Sequence, residues 1–174
     1  MPSYFLIILF AICYSYELFE DYYKEAEKYL KNMTMTEKIG QMFFPRFNLT
    51  NSSYDIKNKK PDGFVLFAND FNFDEKFIQQ YITSIQELSN KTIGIPFGLA
   101  VDEEGGKVNR VSKKHRKSGP FPSPQQIYNE SDIEEILNID QEKRDLLRKF
   151  FINVNLAPGA DISWITKILF IAGL

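Results

Sequence analysis

Apolar and polar positions along this chain follow two different periods, and the periods divide it into helices and strands. Between residues 74 and 88, Phe77, Ile78, Tyr81, Ile82, Ile85 and Leu88 fall at helical spacing, which predicts a helix with one apolar face. Residues 140–151, with Leu146, Leu147, Phe150 and Phe151, predict a second. Residues 17–31 mix charges with Tyr22, Tyr23, Ala26, Tyr29 and Leu30 at roughly helical intervals. Another helix is expected from Thr34, because Thr34-Met35-Thr36-Glu37 is a capping box, a hydroxyl at the N-cap with a carboxylate three positions on. Short apolar runs at 63–67, 97–101 and 153–156 predict buried strands, and 43–47 predicts a short first one. Residues 48–60 read as a polar loop ending in the turn Pro61-Asp62-Gly63, and 112–124 as a basic loop containing Pro and Gly. Strands alternating with helices imply parallel βαβ units, so the fold class is α/β with about four such units. No repeat at solenoid spacing and no low-complexity stretch interrupts them.

Composition narrows the picture further. At 174 residues with a formal charge of -2, the chain has one domain's length and no charge bias toward nucleic acid or an acidic membrane surface. Residues 4–12 are unbroken apolar sequence, followed by Cys13-Tyr14-Ser15, the small-residue pattern a signal peptidase reads, although no Lys or Arg precedes it. Residues 1–15 therefore read as a cleaved signal peptide, with a retained anchor or a plain buried segment as the alternatives. The run is too short to span a bilayer comfortably, and no stable membrane span is expected. Cys13 is the single cysteine, so a processed chain would have no thiol, no disulfide and no Cys-based metal site. Asn-x-Ser/Thr sequons at Asn32, Asn48, Asn51, Asn90 and Asn129 fit secretion and possible glycosylation, though such triplets are frequent by chance in an Asn-rich chain.

The chemistry concentrates where the strand at 97–101 stops. Its apolar run gives way at once to Asp102, Glu103, Glu104, Gly105 and Gly106, and Arg110 follows. In a parallel α/β protein the active site is built at the carboxyl ends of the strands, and Asp102 is the first residue past this one. The Gly-Gly pair permits a sharp turn, and Arg110 supplies a planar, permanently charged donor fork. An acid and an arginine flanking a glycine turn suit a hydroxyl-rich ligand such as a sugar. The plainer alternatives are an aspartate capping the following turn and a surface arginine. Among the other residues, His115 sits in the basic run Lys113-Lys114-His115-Arg116-Lys117 and reads as part of a solvated loop. Tyr54, Phe71 and Phe73 could stack on sugar rings or pack locally. No metal-ligand spacing and no phosphate-cradling glycine loop is present, so no metal and no cofactor is expected.

The segment Val101-Asp102-Glu103-Glu104-Gly105-Gly106-Lys107-Val108-Asn109-Arg110 resembles the signature of family 3 glycoside hydrolases, and within them the β-N-acetylhexosaminidase branch. Four further pieces fall in that family's order: Met35-Thr36-Glu37-Lys38-Ile39-Gly40-Gln41-Met42, Gly63-Phe64-Val65-Leu66-Phe67-Ala68-Asn69, Pro122-Ser123, and Ile152-Asn153-Val154-Asn155-Leu156-Ala157-Pro158-Gly159-Ala160-Asp161. The resemblance implies a (β/α)8 barrel, which needs eight units, so the chain looks like the first half of one. It implies a substrate-binding role for Asp102 and Arg110, toward a carbohydrate with terminal β-N-acetylhexosamine or a related β-glycoside. Glu103 matches a position the family varies and is expected to be solvated; Glu104 is expected to be structural, and Asp161 to stabilise a loop or orient a rim group.

The family's acid/base histidine loop and its nucleophile aspartate match no residue of this sequence, so no catalytic residue is assigned. Residues 16–163 are thus read as the N-terminal part of the barrel domain, and 164–174 as an apolar tail with no family counterpart. The competing expectations are a catalytically inactive sugar-binding half-barrel and a non-functional gene fragment.

Overall fold

A computed structural model of the chain describes residues 19–159. The proposed signal peptide with Cys13, Asp161 and the apolar tail lie outside the described residues. The chain divides into two compact units, Met1–Lys38 and Ile39–Leu174. The first contributes α1 (Glu20–Asn32), whose charged and tyrosyl positions are all exposed. Helix α2 (Met35–Gly40) starts on the expected capping box: the Thr34 N–H donates to Glu37 Oε2 at 2.8 Å, and the Glu37 N–H donates to Thr34 Oγ1 at 3.3 Å.

The second unit is organised around a parallel sheet in the order β1 (Gly63–Val65), β2 (Gly98–Val101), β3 (Val154–Asn155). Its register pairs Gly63 with Gly98 and Val65 with Ala100, then Ala100 with Val154 and Val101 with Asn155. The paired glycines leave room for the Phe44 ring, which a Cβ on either would strike at 2.3–2.4 Å. Helix α4 (Glu75–Ile93) crosses from β1 to β2 and buries Ile78, Ile82 and Ile85. Its N-cap is Asp74, whose carboxylate accepts from the Phe77 N–H at 2.9 Å. Helix α7 (Ile133–Lys149) leads from β2 to β3 and buries Leu147. Phe64, Phe97, Leu99, Val101, Phe150 and Ile152 join these helix faces in one core. The family resemblance implied a partial β/α barrel, and this parallel, right-ordered α/β arrangement agrees with it.

Three local expectations are corrected. Residues 43–47 do not form a strand; Arg46 makes a single parallel bridge to Val65. Val65 N–H donates to Pro45 O at 3.0 Å and Phe47 N–H to Val65 O at 2.9 Å, but Pro45 has no N–H with which to extend a ladder. The polar loop at 48–60 contains α3 (Ser52–Asn58). Asn48 Oδ1 accepts from the Thr50 and Asn51 N–H groups at 3.0 and 3.3 Å and starts the turn, and Ile56 is fully buried. Only one turn in two carries an apolar anchor there, so the pattern is masked by its polar majority. The basic loop at 112–124 begins with α5 (Ser112–His115) and ends at α6 (Pro124–Glu130), which Ser123 caps through the Gln126 N–H at 3.1 Å.

Candidate functional site

Parallel strands bring their carboxyl ends to one edge of the sheet. Because Val65 is level with Ala100, continuing the register two residues past β1 sets Phe67 beside Asp102. Asp102 leaves the end of β2, where Val101 is fully buried, and is itself half-buried. The chain then turns back on itself: Gly105 and Val108 form an antiparallel bridge, and the Gly106 N–H donates to Phe121 O at 2.9 Å. This hairpin returns Arg110 to Asp102. Arg110 Nε donates to Asp102 Oδ1 at 2.6 Å, and Nη2 donates to Oδ2, so the pair is bidentate. About a quarter of each side chain stays exposed (20% and 27%), which leaves the pair accessible from the rim. The bond to Asp102, with the charges of Glu103 and Glu104, raises the Arg110 pKa above its ordinary value against the opposing effect of burial.

The expectation for Glu103 is overturned: its side chain is completely buried, not solvated. Oε2 accepts from the N–H groups of Arg110 at 2.7 Å, Val111 at 2.6 Å and Ser112 at 3.5 Å, while Oε1 lies 2.5 Å from Ser112 Oγ. A single carboxylate thus collects the backbone donors that open α5, and it fixes the main chain at Arg110 itself. The sequence hides this because the donors lie seven to nine residues away. Glu103→Gln keeps one acceptor oxygen and can donate to Ser112 Oγ, so it should lower stability by about 1 kcal/mol. Glu103→Ala strands several buried donors and should lower it by about 3 kcal/mol or more. Urea unfolding of the two variants checks the order, and equal, negligible losses would contradict the clamp.

Glu104 ties separate segments together, as expected of a structural residue. Its carboxylate accepts from the Gly159 N–H at 3.1 Å, and its carbonyl accepts from Lys143 Nζ at 3.1 Å. Burial pulls the Lys143 ammonium below its ordinary pKa despite nearby Asp140, Glu103 and Glu104. Both residues border a groove of about 850 Å³ between α6, α7 and β3. Behind the site, Asn153 and Asn155 fasten β3 to β2. Asn153 Oδ1 accepts from the Leu99 N–H at 2.8 Å, and Asn155 Oδ1 accepts from the Glu103 N–H at 3.0 Å.

The rim also contains residues that the sequence did not single out. The Phe67 ring carries two guanidiniums, Arg46 at 4.6 Å and Arg110 at 5.2 Å from its centroid. Arg46 in turn pairs with Asp70 through Nη1–Oδ2 at 2.5 Å and Nη2–Oδ1 at 3.1 Å. Phe67 closes the apolar run at 63–67 and reads there as one more strand residue; Arg46 and Asp70, 24 residues apart, leave no local signal.

His115 is not a solvated loop residue either. Its ring packs 4.6 Å from Phe150, and Nε2 lies 2.9 Å from Phe71 O. Phe71 is fully buried, Phe73 packs 4.9 Å from Phe77, and Tyr54 is exposed on α3, so none of the three joins the rim pair in these contacts. All five sequon asparagines are exposed. Among the described residues, no group of three or more His, Cys, Asp and Glu could hold a metal ion, and no helix is long and apolar enough to cross a membrane.

Residues 34–168 match the family described as the glycosyl hydrolase family 3 N terminal domain. The fold is similar to that of a glycosyl hydrolase family 3 member from Mycobacterium smegmatis, with a TM-score of 0.64 at 18% identity over 77% of this chain and 38% of that one. It is similar to a family 3 β-N-acetylglucosaminidase from a Paenibacillus species, with a TM-score of 0.64 at 22% identity over 72% of this chain and 24% of that one. It is also similar to LpqI of M. tuberculosis, with a TM-score of 0.60 at 18% identity over 72% and 35%. At these identities the likeness is one of fold, and the chain spans 24–38% of the length of these structures. No curated protein matches the chain in sequence.

Proposed function

The chain belongs to glycosyl hydrolase family 3, and from that premise we propose that Asp102 and Arg110 grip the terminal sugar of a β-N-acetylhexosaminide or a related β-glycoside. The observation that carries the reading is the partly exposed bidentate pair at the carboxyl edge of the sheet. Each carboxylate oxygen of Asp102 has already accepted one N–H from Arg110, and each keeps a lone pair for a sugar hydroxyl. Arg110 Nη1 has no acceptor among the described residues and supplies donors to the same ligand. Held together, the two groups present an acceptor and a donor side by side, which is the pattern of adjacent ring hydroxyls.

Glycosidic cleavage further needs an acid/base group and a second carboxylate flanking the scissile bond. Asp102 and Arg110 are assigned to neither; their contribution is to hold the sugar so that binding energy is available at the reacting centre. The Paenibacillus neighbour, a β-N-acetylglucosaminidase by its own description, favours the N-acetylated sugar.

A second reading, a sugar-binding module without turnover, is favoured by one observation: both carboxylate oxygens of Asp102 accept from Arg110, an arrangement suited to holding a sugar rather than to transferring a proton. Calorimetric titration with N-acetylglucosamine is expected to show saturable binding, and its absence at millimolar ligand would contradict both readings. Release of chromophore from a β-N-acetylglucosaminide by the same preparation would then favour the glycosidase, and binding without release the module.

A further inference from the structure

Five side chains form an unbroken relay along the rim: Asp70 holds Arg46, Arg46 lies over Phe67, Arg110 lies over the same ring, and Arg110 holds Asp102. The geometry points to Phe67 and Arg46 as positioning residues that set the orientation of the Arg110–Asp102 pair, an inference that rests on the proposed sugar-binding role of that pair. Phe67 is itself fixed from two sides. Its N–H donates to Asp70 Oδ2 at 2.7 Å, and its backbone continues β1 into the 3-10 turn Ala68–Phe71. Arg46 is anchored by more than its acid, since Nη1 also donates to Phe47 O at 2.7 Å. The far end of the relay is therefore attached to the main chain of two adjacent segments, at Phe47 and at Phe67.

The near end has no such anchor. The Arg110 side chain bonds only to Asp102 among the described residues, and Asp102 bonds only to Arg110, so the pair could swing as a unit without breaking its own two hydrogen bonds. Contact with the Phe67 ring is what opposes that motion. An aromatic face attracts a guanidinium where an aliphatic side chain of similar volume offers only dispersion. Arg46 sharpens the effect by limiting where the ring can go. Because a lysine ammonium cannot reproduce a bidentate bond to Asp70 while lying flat on a ring, Arg46→Lys is a real loss at this position.

Phe67→Leu, Phe67→Tyr and Arg46→Lys test the relay in the full chain. The readouts are N-acetylglucosamine affinity, the melting temperature, and the Arg110 Nε–H resonance, assigned by its disappearance in Arg110→Lys. Phe67→Leu is expected to weaken binding about three- to tenfold and to move the Arg110 resonance, with Phe67→Tyr restoring both. Arg46→Lys is expected to shift the resonance in the same direction by a smaller amount. A Phe67→Leu protein with an unmoved Arg110 resonance would overturn the relay, whatever its affinity. A wild-type protein that binds no saccharide would overturn the proposed sugar site, while the Arg46→Lys shift, which leaves the Phe67 ring and its ring current in place, would still decide whether the relay positions the pair.

Discussion

Asp102→Asn is expected to weaken N-acetylglucosamine binding by about ten- to a hundredfold while leaving the fold intact. The substitution is nearly isosteric, so the size of the loss follows from charge. A carboxylate hydrogen bond is worth about 1.5–3 kcal/mol, roughly twice a neutral one, and each 1.4 kcal/mol is a factor of ten in affinity. Asparagine also turns one of its two acceptors into a donor, which faces Arg110 or the sugar with the wrong polarity. Arg110 then loses a bidentate partner and is left as a partly buried cation beside Glu103 and Glu104. Circular dichroism should be unchanged, because the β2 ladder and the Glu103 clamp do not involve the Asp102 side chain. Titration of the variant beside the wild type is the check, and equal affinities would remove Asp102 from the site.

Gly105→Ala is expected to have the largest effect on stability, a loss of roughly 2–6 kcal/mol from backbone strain and overpacking together. Gly105 sits at a φ of 108°, a conformation that side-chain-bearing residues rarely adopt. A Cβ added there would also come within 2.1 Å of Pro122 O, a backbone atom that cannot swing aside as a flexible side chain could. The hairpin that returns Arg110 to Asp102 would have to open, so saccharide binding should fall together with stability. A loss of that size is a large share of the 5–15 kcal/mol typical of a domain. Thermal unfolding of the variant is the measurement; a midpoint within a degree or two of wild type would show that the turn relaxes at no cost.

Asp102, Gly105 and Arg110 lie within one short stretch, which is why the candidate site could be picked out from the sequence alone. An apolar run, a carboxylate at its end, a glycine turn and an arginine are local signals, and the structure joins Asp102 to Arg110 as a pair. Helices α2 and α4 were equally legible, since Thr34 and Glu37 announce the start of the first and the isoleucines of the second keep one period.

What was not legible depends on contacts remote in sequence. Glu103 looked like one more surface acid because its partners arrive only when the chain folds back. Helix α3 was hidden because Tyr81 in α4 supplies what its sequence lacks: the Tyr81 hydroxyl donates to Leu49 O at 2.6 Å and lies 2.5 Å from Ser52 Oγ. His115 in its run of lysines looked solvated, yet the rings it packs against come from residues 71 and 150. Arg46 and Asp70 meet only because β1 lies beside the segment that carries Arg46.

Whether the Asp102–Arg110 pair holds a saccharide can be seen in a crystal structure of the chain soaked or grown with N-acetylglucosamine. Adjacent sugar hydroxyls are expected within hydrogen-bond distance of the Asp102 carboxylate, with Arg110 still paired to it. A sugar bound elsewhere, with this pair touching none of it, would remove the pair from saccharide binding.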